Sequence, residues 1–214
     1  MNRSIMVLAL SIVVAGGCRS EVDQKPAAEV TETSAATTAT RPPGADASRV
    51  IREKSSIDWV GAKVTRDHDG TFHEFDGWIE YAAGRPSRIA FDIDLTSVES
   101  DEEKLTAHLK SADFFDVARY PKATFTSTSI AEAPAGAPAG TTHRVTGVLD
   151  LHGAKKEVTF PVTAEVTGEG VRTRSEFTIN RHDWGISYRG AADDLIRDNV
   201  LIRLDLMFPP PPPA

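Results

Sequence analysis

Six histidines, one lysine inside an apolar run and one run of carboxylates are the side chains of this 214-residue chain whose spacing could serve chemistry. His68, His73, His108, His143, His152 and His182 include no pair at a metal-ligand interval such as H-E-x-x-H. Cys18 is the single cysteine, so no Cys/His set can be completed and no metal site is expected. His68 and His73 flank Asp69-Gly70, a turn dipeptide, and read as solvated histidines beside a hairpin turn. Lys63 interrupts Trp59-Val60-Gly61-Ala62-Lys63-Val64. A solvated rim lysine is the plainer reading there; a cation orienting a polar ligand head is the sharper one. Asp101-Glu102-Glu103 follows Ser100, the pattern of a capping box. Capping, with acidic groups at the positive end of a helix dipole, accounts for these carboxylates without catalysis. The chain has no G-x-S-x-G turn and no phosphate loop, so no catalytic residue is assigned and it reads as a non-enzyme.

The elements that carry these residues are strands, interrupted by one helix. After Ser100, Leu105 and Leu109 fall on one helical face, four apart. Phe114-Phe115 follows, and Tyr120-Pro121 forces the chain extended. The stretch from Leu105 to Ser127 is therefore expected to be a short helix, an aromatic plug and a return into sheet, closing one end of a β-barrel. Eight runs around it alternate or carry β-branched and aromatic residues: Ser56 to Thr65, Thr71 to Tyr81, Arg88 to Ser97, Lys122 to Ile130, Thr142 to Leu151, Lys155 to Thr167, Gly170 to Ile179 and Asn199 to Phe208. Short turns join them at Asp69-Gly70, Ala83-Gly84-Arg85-Pro86, His152-Gly153 and Gly168-Glu169-Gly170, and Ala131 to Gly140 is a longer loop. Ile89, Phe91, Ile93 and Leu95 alternate with Arg88, Ala90, Asp92 and Asp94; Val200, Ile202, Leu204 and Leu206 do the same against Arg203 and Asp205. One apolar and one wet face per strand predicts an all-β, eight-stranded antiparallel barrel. Such a barrel is filled by its own side chains or holds one narrow ligand. Gly77 between Phe75 and Ile79, and Gly147 between Val145 and Leu149, are expected to leave room inside.

The ends of the chain have a different character. Residues 1–17 carry Arg3, an apolar run from Ile5 to Ala15 and then small residues, a secretory signal too short to span a bilayer. Ala15-Gly16-Gly17-Cys18 looks like a bacterial lipoprotein signal, which would make Cys18 an acylated N-terminus and place the protein at the membrane, facing the periplasm; a plain signal peptide would leave it soluble there. Arg19, in place of an aspartate, slightly favours the outer membrane. Residues 18–48, rich in Ala, Thr, Glu and Pro, are expected to be a disordered tether. Residues 209–214 form a proline-rich tail, and the folded domain is expected over 49–208. A net charge of −7 with no basic stripe excludes nucleic acid as a partner.

Several segments together resemble the YceI-like, polyisoprenoid-binding family. They are Val60-Gly61-Ala62-Lys63-Val64 with His68, Gly70 and Phe72; His108-Leu109-Lys110-Ser111-Ala112-Asp113-Phe114-Phe115-Asp116; Tyr120-Pro121 with Thr124-Phe125; Val145-Thr146-Gly147-Val148-Leu149 with His152-Gly153; and Asn180-Arg181-His182-Asp183-Trp184-Gly185-Ile186. The resemblance implies a lipocalin-like barrel with a helix near its mouth, and a long isoprenoid lipid or isoprenoid quinone held inside as ligand, with no cofactor. It also implies a carrier or sequestering role, and dimers among relatives leave a homodimer open here. A barrel lined by Phe75, Ile79, Phe91, Ile93, Phe125, Leu149, Phe160, Phe177 and Ile202 would shelter such a chain, with Leu105, Leu109, Phe114 and Phe115 covering it. Two alternatives stand beside this: an enzyme acting on bound lipid through Lys63, His68 or Asp183, and an envelope interaction module with a filled core.

Overall fold

The computed structural model describes residues 20–33, 44, 47–191 and 194–211. Among them are thirteen strands: β1 (Glu29–Glu32), β2 (Ala47–Arg49), β3 (Ser56–Lys63), β4 (Asp67–Phe72), β5 (Phe75–Ala82), β6 (Arg85–Asp94), β7 (Val98–Ser100), β8 (Lys122–Glu132), β9 (His143–Leu151), β10 (Ala154–Thr167), β11 (Gly170–Asn180), β12 (Gly190–Ala191) and β13 (Asp194–Phe208). One α-helix, α1, spans Glu103–Leu109. The strands form a single curled sheet in the order β2-β5-β6-β8-β9-β10-β11-β13-β3-β4-β7, with β1 added on β10 and β12 on β13. Every named pairing is antiparallel. Main-chain bonds from the segment after β2 tie β5 to β13: Val50 N donates to Gly77 O (2.9 Å) and Ile51 N to Met207 O (2.7 Å). The fold is an all-β, lipocalin-like antiparallel barrel with a short helix at one end.

The strand count differs from eight because the run from Thr71 to Tyr81 is two strands, β4 and β5, and four further strands are short marginal ones. Asp69-Gly70 is no turn; Gly70 pairs with Trp59 in mid-ladder, and the chain reverses earlier, at residues 64–66. The glycine answers a close approach instead. A Cβ there would sit 2.1 Å from the Trp59 indole and 2.3 Å from Glu99 O, so only hydrogen fits.

The capping box expected at Ser100 does not close. Glu102 is the N-cap and no side chain caps it. Thr106 Oγ1 instead accepts from Ser100 N (2.9 Å) and donates to Glu102 O (3.1 Å), while Ser100 Oγ accepts from Glu102 N (3.2 Å). The β-bridge of β7 to β4 holds Ser100 extended, which sets the helix start two residues later.

The tether expectation needs correction over residues 20–33 and 47–48. Glu21–Gln24 is a 3₁₀ turn whose Val22 is buried, packed with Val60, Ala62 and Leu201 on the outer face of the wall. Glu29–Glu32 pairs with β10, and Ala47–Arg49 pairs with β5. The physical reason is that β3 and β13 are apolar on both faces at these positions, and the N-terminal segment covers the outer one. Cys18 and the signal segment lie outside the described residues.

Candidate functional site

The inner faces of the strands converge on one cavity of about 210 Å³. The wall takes in every expected lining residue except Phe75 and Ile79, which are buried in the core instead. At Gly77, between those two, a Cβ would meet the Phe91 ring at 2.3 Å. Phe91, reaching over from β6, therefore screens β5 from the cavity. The same holds at Gly147, where a Cβ would meet the Phe125 ring at 2.4 Å. These glycines admit aromatic rings from neighbouring strands and leave no space for a ligand. Gly61 is the exception: a Cβ there would meet nothing closer than Trp59 Cζ3 at 3.5 Å, and the residue borders the cavity.

Aromatic rings fix the shape of the cavity. Phe160 and Phe177 stack at 4.3 Å between centroids, and Phe125 leans on Phe160 at 5.6 Å. At the helix end, Leu105, Leu109, Phe114 and Phe115 form part of the wall. Tyr188 braces them, its ring 5.4 Å from Phe114 and 4.8 Å from His108. Trp184 Nε1 donates to Leu149 O at 3.2 Å, which pins the turn after β11 against β9. Among the half-buried lining residues, Lys63, Leu105, Phe115 and Ile196 lie at this end, and Ile93, Leu149, Ile202 and Leu204 lie along the wall. Phe91, Phe160 and Leu206, deeper in, are buried. The ionisable lining residues Lys63, His68 and Arg181 all stand at the helix end, which is read as the mouth.

The wall is hydrocarbon, and the ionisable groups that border it are engaged elsewhere. Lys63 Nζ pairs with Asp194 at 3.4 Å, at the rim. Asp194 is held below the usual carboxylate range, chiefly by the Thr65 hydroxyl, against a counteracting burial effect, with Lys63 helping. Arg181 is buried and donates to Ile186 O (2.7 Å) and Arg197 O (3.1 Å). Its burial pushes the guanidinium below its ordinary value, with Asp198 opposing. His68 is the correction to the solvated-turn reading. It lies on the inner face of β4, 3% exposed, with Nδ1 2.8 Å from Asp101 Oδ1. Burial pushes the Asp101 carboxyl up, but bonds from His68 and Ser100, with the charges of His68 and Arg66, hold it below its ordinary value. Nδ1 faces a carboxylate oxygen, so Nδ1 carries a proton. Nε2 and the donor Trp59 Nε1 are buried without a partner among the described residues, and both residues border the cavity. Buried polar atoms left unpaired are rare, so these two mark where a ligand would place polar atoms.

His73 does not meet His68; it pairs with Glu99 at 2.6 Å on the surface. The remaining histidines bond locally: His108 to Asp113, His152 to Trp184 O, His182 to Asp198 and His143 to Thr142. Asp183 is not on the cavity wall. Among the described residues no cluster of His, Cys, Asp or Glu could hold a metal ion. The sequence missed His68 because Asp69-Gly70 was assigned to a turn. Pairing Gly61 with His68 across the turn at residues 64–66 would have put His68 in β4, facing in.

A lipocalin-like barrel with a hydrocarbon-walled internal cavity defines a class of small apolar-ligand proteins, and comparison narrows it. The YceI-like domain family model matches residues 49–208, and the chain belongs to that family. Among curated relatives, a UPF0312 protein of Pseudomonas putida strain F1 is 36% identical over 135 residues, covering 59% of this chain and 68% of its own length. Protein YceI of Escherichia coli O157:H7 is 38% identical over 103 residues, covering 47% of this chain and 50% of its own. Among solved structures, Burkholderia cenocepacia BcnA aligns with a TM-score of 0.65 at 25% identity, over 73% of this chain and 98% of its own. A polyisoprenoid binding domain from Saccharophagus degradans, implicated in plant cell wall breakdown, aligns at 0.60 and 19% identity, over 78% and 99%; at that identity it shows the shared fold.

Proposed function

We propose that this protein is a binding protein, not an enzyme, and that it holds a long-chain amphiphilic lipid, a polyisoprenoid or isoprenoid quinone, inside the barrel as an envelope carrier or sequestering protein. The observation that carries this reading is the hydrocarbon wall around a cavity of about 210 Å³. Apolar cavities near 150 Å³ stay dry and take up benzene, so this larger one suits a hydrocarbon. Each methylene moved from water to such a wall contributes about 0.8 kcal/mol. The polyisoprenoid-binding description of the Saccharophagus neighbour supports the ligand class. The polar end of the ligand belongs near His68 Nε2 and Trp59 Nε1, where a hydroxyl, being both donor and acceptor, can pair with either atom. Cys18, acylated, would keep the carrier on the periplasmic side of a membrane where such lipids reside.

Native mass spectrometry of the chain carrying Cys18→Ser, purified without detergent, tests this. Co-purified isoprenoid mass, or its uptake on addition of polyprenol, supports the reading. A homogeneous empty protein that takes up neither polyprenol nor quinone overturns it.

A further inference from the structure

The N-terminal segment is docked, and the place where it is docked has a consequence for orientation. Ser20 Oγ donates to Asp67 Oδ2 at 2.8 Å. Asp67 opens β4 immediately after the turn at residues 64–66, next to His68 and beside the cavity mouth. Four further contacts fix the segment: Val22 sits under Val60, Ala62 and Leu201, Asp23 pairs with Arg197, Glu21 with Arg203, and Lys25 with Glu176. Cys18 stands two residues before Ser20, and two residues reach at most about 7 Å. A tether of thirty residues would let the barrel tumble freely beneath its anchor; a two-residue leash from the mouth does not.

The rim at that point is apolar. Val64 is 70% exposed and Leu195 48%, and they are neighbours, Val64 N donating to Leu195 O at 3.2 Å. Val166, the other large exposed hydrophobe among the described residues, stands alone on the β10–β11 hairpin at the far end. We propose that the mouth end of the barrel rests on the lipid bilayer, with acylated Cys18 inserted beside it and Val64 and Leu195 dipping into the headgroup boundary. The proposal rests on the lipid-binding reading only for its purpose: a mouth held on the membrane lets a greasy chain pass between bilayer and barrel without crossing water. The occupant is a bilayer because the chain that would carry acyl groups starts at this rim, and an amphipathic rim adds buried apolar area to an acyl anchor.

The test uses the full lipoprotein in vesicles of phosphatidylethanolamine and phosphatidylglycerol. Its sole native cysteine is acylated in this proposal, so Val64→Cys, Leu195→Cys and Glu53→Cys each accept one environment-sensitive fluorophore; Glu53 is exposed and precedes Lys54, which pairs with Glu169 at the far end. Labels at 64 and 195 are expected to shift to the blue and to be quenched by nitroxide-bearing acyl chains, and the label at 53 to do neither. Val22→Asp, which releases the segment without touching the cavity, is expected to abolish quenching at 64 while the protein stays on the vesicles. Equal quenching at both ends overturns the proposal, as do a blue shift without nitroxide quenching (a protein partner) and an unacylated Cys18 in the intact mass. Lipid uptake by the Cys18→Ser chain separates the two readings. Uptake without rim quenching sinks the orientation alone; rim quenching without uptake sinks the carrier alone.

Discussion

Replacing Gly61 by leucine separates cavity from core. A Cβ at Gly61 meets only the Trp59 ring, at 3.5 and 3.8 Å, and a larger side chain extends into the cavity it borders. The four added carbons occupy space a ligand would fill with about four of its own, at about 0.8 kcal/mol per carbon. The loss is about 3 kcal/mol, or roughly a hundredfold in Kd. The fold moves the other way: cavity filling and loss of a strand glycine stabilise by about 0.5–2 kcal/mol. Tryptophan quenching by polyprenol, read beside urea unfolding, measures both. Unchanged affinity in a stably folded Gly61→Leu protein would refute the assignment of this cavity as the binding site.

Gly147→Ala places a Cβ 2.4 Å from the Phe125 ring and 2.6 Å from Thr126 O, so it is expected to lower stability by about 1–3 kcal/mol in urea unfolding. Phe177→Ala breaks the 4.3 Å stack with Phe160, with an expected cost of about 3–5 kcal/mol in the same assay. His68→Leu removes one polar atom from the wall. It should weaken a hydroxylated isoprenoid by about 1 kcal/mol, five- to tenfold by titration, and leave the parent hydrocarbon unaffected. Asp205 accepts from Arg172 Nε and Nη2, both at 2.6 Å; these bonds, against a burial effect, hold its carboxyl below the ordinary value. Its folded value being depressed, the stability it contributes is present above the unfolded value of about 3.9. That stability is lost as pH falls through the folded value. Asp205→Asn should flatten the acid arm of a urea-midpoint profile below that pH and lower the midpoint at pH 7.

The alternation of Ile89, Phe91 and Ile93, and of Val200 through Leu206, was enough to read the barrel, because a period of two with one buried face leaves few other folds. The wall was less legible where rings cross between strands. Phe91 lies over Gly77, and no single-strand pattern reveals that this hides Phe75 and Ile79 from the cavity. His68 was hidden by the ambiguity of Asp-Gly, which marks a turn in most contexts but here answers the bulk of Trp59. The docked N-terminal segment has only Val22 as a buried anchor, with charge pairs and main-chain bonds to β10 and β11 beside it, and its composition resembles a linker. Its one sequence trace was on the partner side: Val60 and Ala62 make β3 apolar on its outer face too, so something had to cover them.

The central claim is that the cavity between Phe177, Ile202 and Leu149 is occupied by a hydrocarbon chain. Crystals of the protein grown after incubation with polyprenol test it most directly. The account predicts continuous tubular density running from His68 to the Phe160–Phe177 stack, with the polar end of the ligand at His68. Side chains rotated inward to close the cavity, with polyprenol absent or bound outside the barrel, would contradict it.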